Sequence, residues 1–568
     1  MPDLVIGGRR SGMPRPTWRA GVIAVAMLGV AVVVAYFIYK RTVAYDVPGG
    51  TVKGAITAVQ TAPGAPPALT YGSASLTWVG GVPLLRVSGD AHSVGAAHGR
   101  LLAPSLPSMI RAHAPSIEGT VTDEGWFGGW THNMRLAWRW RFIDDGLVDS
   151  DRRMLAGMTR GAAASGVHVA FEDLVRDQAV LDVGVPSSRT DEAEQKSLAQ
   201  SLTVIAQQSQ APARVWIGRT FSLAGLDDGG EAAYPVVTIA RLDGRTAWAG
   251  VGWPGAIGVV TGVNAHGIAV MVDPSRTADV RPTRTARPVA MLARTILEQA
   301  TTLDEAVKLV EGTPTLGTAV IVLVDGTSGR WVQIERTPNK AITERNPKSP
   351  AIGDVLTTHA LSGDPENDRA TRILSTKGRI ERAAKLVRAP LADVAAMAAV
   401  MRDRKSLDES PRPPGHRGVI DDGRAVHTVI LDPASLELWV ADPSASNRMR
   451  AFDLRHELRR EGDRPTPAAD IPAEVDVELD RVANLRTARA DLRAARALLA
   501  ADDLARADEA CARARARVPN LPETLELEAT IAQARGDTAR ARAVFQAWLE
   551  AGPDDPKAEE RARSVLAR

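Results

Sequence analysis

The chain of 568 residues contains a single cysteine, Cys511. One thiol cannot form an intramolecular disulfide or a cysteine-based metal cluster. The charges nearly cancel as well, because 69 basic side chains stand against 67 acidic ones for a net charge of +2. This balance supplies no general attraction to nucleic acid or to an anionic surface, so we expect no nucleic-acid partner.

Three well-known catalytic motifs are also missing: the zinc motif H-E-x-x-H, the nucleophile motif G-x-S-x-G and the phosphate loop G-x-x-x-x-G-K-[ST]. His92 and His98 lie six residues apart, a spacing that does not put both on one face of a helix. We therefore expect no metal and no cofactor.

A long apolar run does occur near the N-terminus, over residues 20–39. About twenty uncharged residues are enough to cross a bilayer as a helix. Arg9, Arg10, Arg15 and Arg19 precede the run, and such an excess of positive charge favours a cytoplasmic N-terminus. A signal peptide cleaved after "TVA" at 42–44 is the competing interpretation. We expect a single-pass protein of the inner or plasma membrane, with residues 1–19 cytoplasmic and the main body extracytoplasmic, in the periplasm or at the cell surface.

Residues 40–80 are rich in Gly, Pro and Ala, which is typical of a linker. A globular domain is expected over 81–455, where stretches with strand patterns, such as 236–240, 268–272 and 319–324, cluster together and helical stretches, such as 289–300 and 370–387, are appended. This order favours an α+β layered sandwich over an alternating parallel sheet.

The segment 476–568 is dominated by Ala, Arg, Leu, Asp and Glu. Two stretches in it align at a constant offset of 34 residues, since Asp503 matches Asp537 and Pro522 matches Pro556. This offset is the period of tetratricopeptide repeats. A generic Ala-rich helical pair is the alternative, because the aromatic markers of the repeat are mostly missing. In either case we expect a helical module that recruits a protein partner.

Seven collinear stretches of the central region resemble the autoproteolytic acyltransferase/hydrolase family typified by isopenicillin N acyltransferase, within the N-terminal-nucleophile hydrolases. They include "GDAHSVGAAHGRLLAP", "WIGRTFSL", "VGWPGAIGVVTGVNAHGIAVMVD" and "VHTVILDPASLELWVADPSAS". The resemblance implies a four-layer αββα sandwich, in which two stacked antiparallel sheets are covered by helices. This domain would be preceded by one transmembrane helix and followed by an all-α helical-repeat tail.

The resemblance also implies a nucleophile. Members of the family cut themselves before a Cys, Ser or Thr at the head of a strand, and the freed α-amino group then serves as the base. The stretch 200–223 is expected to form two strands joined by a polar turn. Counting back from Gly218 of the G-R-N-x-D motif gives Ser201 as the nucleophile, and Arg219 as the residue that orients it.

The remaining family positions are mostly altered. Thr220 replaces an Asn, and Ser222 replaces the Asp that would hold the α-ammonium group. Asp273 stands where relatives carry an Asn that donates to the oxyanion, although Asn264 and Gly267 keep the preceding turn. Thr358 replaces a further Asn, and the Arg of the distal helix corresponds to Arg369 or Arg372.

Two functions follow from these replacements. The first is a degenerate, non-catalytic relative that binds a small acylated amide or amine, with Arg219 and Asp273 paired inside the old site. The second is a Ser201-dependent amide hydrolase or acyltransferase that processes itself between Gln200 and Ser201.

Two other groups of residues have competing interpretations. Ser187 and Ser188 lie in a polar loop, where a role in a turn is favoured over that of a processed residue. Four tryptophans, at positions 126, 130, 138 and 140, could line an acyl pocket, but their helical spacing favours packing in a core or an interface.

Overall fold

The computed structural model describes residues 18–118, 125–182, 201–211, 214–223, 234–275, 285–345, 354–357, 365, 376–445, 448–459, 468–474, 481–552 and 556–567. Ser187, Ser188, Thr358, Arg369 and Arg372 lie outside the described residues.

The α-helices of the described residues are α1 Trp18–Val43, α2 Ala91–Leu101, α3 Leu106–Glu118, α4 Gly125–Trp140, α5 Asp149–Ala164, α6 Phe171–Asp177, α7 Val289–Gln299, α8 Leu303–Gly312, α9 Thr376–Leu386, α10 Val394–Met401, α11 Leu454–Arg459, α12 Arg481–Ala500, α13 Leu504–Arg517, α14 Pro522–Ala534, α15 Thr538–Ala551 and α16 Pro556–Ala567. The strands are β1 Thr57–Val59, β2 Ala68–Tyr71, β3 Ala74–Val79, β4 Val82–Gly89, β5 Leu202–Gln207, β6 Val215–Phe221, β7 Val236–Leu242, β8 Trp248–Gly252, β9 Thr261–Asn264, β10 Ile268–Ser275, β11 Thr318–Asp325, β12 Trp331–Arg336, β13 Ala341–Arg345, β14 Asp354–Thr357, β15 His427–Asp432, β16 Glu437–Ala441 and β17 Met449–Asp453.

The strands form two sheets. The 11-stranded sheet has the order β1-β2-β3-β4-β7-β8-β9-β10-β11-β12-β13, and the 6-stranded sheet has the order β14-β5-β6-β15-β16-β17. Neighbouring strands pair antiparallel, except that β4 and β7 are parallel. The two antiparallel sheets implied by the sequence are therefore present, with one parallel pair at the junction of β4 and β7.

Three apolar cores separate four layers. The inner faces of the two sheets meet in a core that includes Ile205 and Ile217 of the small sheet and Met271 and Val322 of the large one. The outer face of the large sheet packs against helices including α2, α5, α7 and α8. The outer face of the small sheet packs against α9 and α10. This is the four-layer αββα sandwich that the resemblance implied.

The hairpin predicted from residues 200–223 is present as β5 and β6, which pair antiparallel. The other predicted strands and helices also occur, with ends that differ by a few residues. The helix predicted over 370–387 is described from Thr376, where α9 begins, and residues 370–375 lie outside the described residues. Just before β9, Val259 donates its backbone N–H to the Ala290 carbonyl at the start of α7, and the Val260 carbonyl accepts from the N–H of Val272 on β10.

Residues 57–79 differ from the linker expected over 40–80. They form β1, β2 and β3, which extend the large sheet beyond β4. Ala74 and Leu76 are buried in the core under the helical layer, and Gly72 makes the turn between β2 and β3 with a φ of 57°. The abundance of Gly and Pro hid the short alternating run "ASLTWV", which is sufficient for an edge hairpin.

Helix α1 contains the expected apolar run. Its part Val25–Val43 is long and apolar enough to cross a membrane, and most of its side chains are exposed in the folded chain. This finding fits a membrane anchor or a signal sequence, and the orientation of the helix stays a prediction.

Helices α12 to α16 form the C-terminal tail, where they pack in succession around two apolar clusters. Asp503 caps α13 by accepting from the N–H of Arg506, and Asp537 caps α15 by accepting from the N–H of Arg540. The two caps are thus related by the offset of 34 residues. The tail is helical as expected, and its assignment to the tetratricopeptide family stays a prediction.

Among the described residues, the tail contacts a loop of the sandwich, residues 412–424. Glu523 at the start of α14 forms an ion pair with Arg424 of this loop. A Cβ atom added to Gly415 would lie 2.4 Å from the Leu521 side chain, so the loop and the tail are in close contact. The loop continues to Ile420, whose carbonyl accepts a hydrogen bond from Arg379 of α9.

Candidate functional site

The candidate site lies between the two sheets, at the end of the hairpin formed by β5 and β6. Thr203 pairs directly with Arg219 across this hairpin. Arg219 is fully buried and donates from one guanidinium nitrogen, Nη1, to the Thr203 hydroxyl at 2.9 Å. The hydroxyl of Thr203, two residues after Ser201, is therefore a direct partner of the arginine.

Asp273 reaches Arg219 from the opposite sheet. It lies on β10 of the large sheet, and its Oδ1 is 2.8 Å from Nη1 of Arg219, with neither side chain exposed to solvent. The Thr203 hydroxyl donates to Asp273 Oδ2 at 3.3 Å, and Nη2 of Arg219 donates to the Val272 carbonyl at 2.5 Å. Thr203, Arg219 and Asp273 thus form one hydrogen-bonded cluster that connects the two sheets.

Burial dominates the electrostatics of this cluster. Loss of solvent raises the pKa of Asp273 above its ordinary value, and the Arg219 charge opposes this rise. Loss of solvent likewise lowers the pKa of Arg219, while Asp273 opposes the change. The ionised form of each side chain is therefore stabilised by the other, because either charge alone would be buried without compensation.

His427 forms a second polar connection between the sheets. It lies on β15, and its Nε2 is hydrogen-bonded to the Thr261 hydroxyl of β9 at 2.9 Å. The ring stacks on Phe221 with centroids 5.1 Å apart. Burial, reinforced by the charge of Arg219, lowers the pKa of His427 well below its ordinary value, so the imidazole is neutral at physiological pH.

The two serines singled out by the sequence are buried beside this cluster. Ser201 is the residue before β5, and Ser222 follows β6 directly. The Ser222 hydroxyl has no hydrogen-bond partner among the described residues. Arg219 and Asp273 bond to Thr203, to the Val272 carbonyl and to each other.

Thr220 faces the other side of the small sheet. Successive side chains alternate along a strand, so Thr220 points away from the face that carries Arg219. Its hydroxyl accepts a hydrogen bond at 2.7 Å from Arg379 of α9, in the outer helical layer. A direct contact between Thr220 and a ligand held beside Arg219 is therefore not compatible with this arrangement.

The Asn264 side chain makes all of its hydrogen bonds to backbone groups of the fold. Its Nδ2 donates to the carbonyls of Leu297 and Ala300, and its Oδ1 accepts from the backbone N–H groups of His266 and Ile268. The side chain joins the turn between β9 and β10 to the end of α7. It has no remaining hydrogen-bonding capacity to offer a substrate.

His98 is buried, accepts from the Gly255 N–H, and has its pKa lowered to about 4 by burial. In the described part of the chain, no group of three or more His, Cys, Asp or Glu side chains is arranged to hold a metal. Trp140 lies in the core, whereas Trp130 and Trp138 are exposed.

The cluster presents a hydroxyl between an acceptor and a donor. A carboxylate beside the Thr203 hydroxyl could take its proton, and the guanidinium could stabilise the resulting negative charge. However, Thr203 has no exposed surface and lies within a strand that is paired on both sides. Bond breaking at Thr203 would require β5 to open or to be cut.

Sequence reasoning missed Thr203, His427 and Arg379. The strand pattern could have indicated Thr203, because residues two apart on a strand point to the same face, so Ser201 and Thr203 share one face. Of the two, Thr203 is paired directly with Arg219. The pairing register decides between them, and that register depends on the length of the turn at 208–214. His427 and Arg379 come from distant parts of the chain, and their approach is set by the packing of the layers.

Comparison with known proteins gives a family match for part of the chain. Residues 236–444 match the model of the family described as acyl-coenzyme A:6-aminopenicillanic acid acyl-transferase. The matched segment includes Asp273 and His427, but the β5–β6 hairpin with Ser201, Thr203 and Arg219 precedes it. No curated protein matches the chain.

Several solved structures are also similar. An N-acylethanolamine-hydrolyzing acid amidase ortholog from Caenorhabditis elegans has 19% identity and a TM-score of 0.30, and the match covers 41% of this chain and 93% of that one. A mutant of the conjugated bile acid hydrolase from Clostridium perfringens has 11% identity and a TM-score of 0.28, covering 49% of this chain and 99% of that one.

Proposed function

We propose that this chain, whose residues 236–444 match the model of the acyl-coenzyme A:6-aminopenicillanic acid acyl-transferase family, is a membrane-anchored, non-catalytic member of that family. The sandwich would lie outside the cytoplasm and bind a small acylated amide or amine, and the helical tail would recruit a protein partner.

The observation that carries the proposal is the buried ion pair between Arg219 and Asp273. The resemblance implies a neutral Asn at position 273 that donates to a developing oxyanion. A carboxylate accepts hydrogen bonds and repels negative charge, so Asp273 opposes the family reaction. The pair also occupies the space between the sheets next to β5, where the nucleophile would have to act.

Further support comes from the replaced positions. Ser222 stands where the family Asp would hold the α-ammonium group. A serine hydroxyl has no negative charge with which to hold that group. Loss of one preorganised donor costs about two to three orders of magnitude in rate, so several simultaneous losses strongly disfavour catalysis.

A second candidate function is amide hydrolysis or acyl transfer after self-cleavage, and the contacts of Thr203 favour it. In this reaction the Thr203 hydroxyl attacks the carbonyl carbon of Leu202 and gives its proton to Asp273. The Leu202–Thr203 peptide C–N bond breaks, the proton passes to the new α-amino group, and an ester forms. Water then hydrolyses the ester and leaves Thr203 at a new N-terminus. The same scheme starting from Ser201 would cut after Gln200.

The two functions differ in whether the chain is processed. Mass spectrometry and N-terminal sequencing of the purified full-length chain distinguish them without knowledge of the substrate. The non-catalytic proposal predicts an intact chain, with identical products for the wild type, Ser201→Ala and Thr203→Val. A new N-terminus at Ser201 or Thr203 that disappears in the corresponding variant would contradict the proposal and support the hydrolase.

A further inference from the structure

Helix α4 presents aromatic side chains on a face that does not pack against the sandwich. Leu136 and Trp140 are buried in the core under the large sheet. Trp130 and Trp138 are 46% and 48% exposed, and Phe142, just beyond the helix, is 36% exposed. A surface helix ordinarily has its polar side chains on the face opposite the core, so this arrangement is unusual for a helix in water.

The same helix is held by the segment that leaves the apolar span of α1. The Tyr39 hydroxyl donates to the Met134 carbonyl at 2.6 Å, and the Tyr39 ring stacks on Trp138 with centroids 6.3 Å apart. The Tyr45 hydroxyl donates to the Trp140 carbonyl at 2.8 Å. These contacts fix α4 at the level where the span ends, which is the level of the membrane surface if α1 crosses a bilayer.

The charges around α4 also suit a lipid surface. The helix contains Arg135 and Arg139 and no acidic residue, and Arg141 follows it. The Arg141 guanidinium lies over the Trp138 ring at 4.0 Å and over the Phe142 ring at 4.4 Å from the centroids. Tryptophan and phenylalanine combined with arginine are typical of helices that lie in the membrane interface.

We infer that α4 lies in the outer interface of the membrane that holds α1, with Trp130, Trp138 and Phe142 among the lipid headgroups. This inference rests on the anchored form of the proposed function. The bilayer covers the aromatic face, and the arginines meet the lipid phosphates. The sandwich is thereby held at the membrane by a second contact in addition to α1, which restricts its orientation.

The test uses the full-length chain reconstituted in vesicles of phosphatidylcholine and phosphatidylglycerol. The buried Cys511 is changed to Ser, and Trp130→Cys carries an environment-sensitive fluorophore. A matched control carries the fluorophore at Leu407→Cys, which is similarly exposed at 41% and lies in a loop on the side of the small sheet. We expect a blue-shifted emission at position 130 that is quenched by nitroxides on the lipids, and an aqueous, unquenched emission at position 407.

A second measurement avoids the label. Lipids with brominated acyl chains quench tryptophan fluorescence at short range, and the double variant Trp130→Phe and Trp138→Phe should lose a large part of this quenching. A chain that stays with the vesicles while position 130 remains aqueous would overturn the inference alone. A blue-shifted but unquenched label would also overturn it, because a protein surface would then cover the face. Release of the whole chain by an alkaline wash would overturn the anchor and the inference together.

Discussion

Asp273 and Arg219 face each other from different sheets, and neither retains exposed surface. A buried ion pair costs desolvation energy for both charges and often contributes little net stability. Removal of one partner is strongly destabilising, because it leaves the other charge buried without compensation. The pair therefore fixes how the two sheets meet at this end of the sandwich, whatever its net contribution to the free energy of folding.

Asn264 gives a prediction at the same scale. Its four hydrogen bonds join the β9–β10 turn to the end of α7, and Asn264→Ala leaves these backbone groups without a partner. We expect a loss of about 2–4 kcal/mol in the free energy of unfolding, measured by urea denaturation. The exposed Asn133→Ala on α4 is the control and should change it by less than about 0.5 kcal/mol. Equal effects of the two changes would contradict the structural role of Asn264.

Individual site residues could be predicted from the sequence only where a local pattern fixed them. Arg219 follows from the Gly-Arg pair, and its pairing with Asp273 was expected from the replacement of a family Asn. Arg219 contacts Thr203 and not the predicted Ser201. This choice depends on the pairing register of the hairpin, which cannot be found by counting residues from a motif. Arg379 reaches the hairpin through helix packing, and no spacing in the sequence signals that approach.

At the scale of elements, periodicity predicted the strands and helices of the sandwich well. It failed for β1 to β3, because composition rich in Gly and Pro concealed a short alternating hairpin. It also did not predict that the tail docks on loop 412–424. Through the carbonyl of Ile420, this loop contacts Arg379, which holds Thr220 on β6. A series of contacts therefore links the tail, through loop 412–424 and Arg379, to the outer side of the candidate site.

Glu523 provides a test of this connection. Burial disfavours its charge, but Arg424, Arg489 and Arg496 outweigh burial and lower the pKa of Glu523 well below its ordinary value. We expect Glu523→Gln to weaken docking by about 2 kcal/mol, which is about 30-fold in the opening equilibrium. Hydrogen–deuterium exchange of residues 412–424 measures this change. Glu526→Gln on the same helix, which removes a surface pair with Arg561, is the control and should have little effect.

The docking contribution of Glu523 should also depend on pH. An acid whose pKa is lowered on folding stabilises the folded state above its unfolded pKa, about 4.3 for Glu, and this contribution is lost as the pH falls below that value. The difference in exchange between the wild type and Glu523→Gln should therefore be full at pH 7 and shrink below about pH 4.3. A difference that stays constant down to pH 3 would contradict the role of the ionised carboxylate.

At the scale of the whole molecule, the chain combines an apolar N-terminal helix, a four-layer sandwich and a helical tail. The two sheets are held together mainly by aliphatic side chains, and the polar contacts of Arg219, Asp273, Thr203, His427 and Thr261 lie at one end of this interface. In the proposed function this end no longer supports catalysis and instead stabilises the sandwich. The Arg219–Asp273 pair is then a structural element of the sandwich.

Thermal unfolding of Asp273→Ala tests the structural role of this pair. Breaking the buried pair should destabilise the fold by about 3–5 kcal/mol and lower the midpoint by several degrees. The exposed Asp243→Ala, in the turn after β7 of the same sheet, is the control and should leave the midpoint nearly unchanged. An unchanged midpoint in Asp273→Ala, together with loss of a self-cleavage or amide-hydrolysis activity that the wild type possesses, would contradict the structural role and identify Asp273 as part of a working active site.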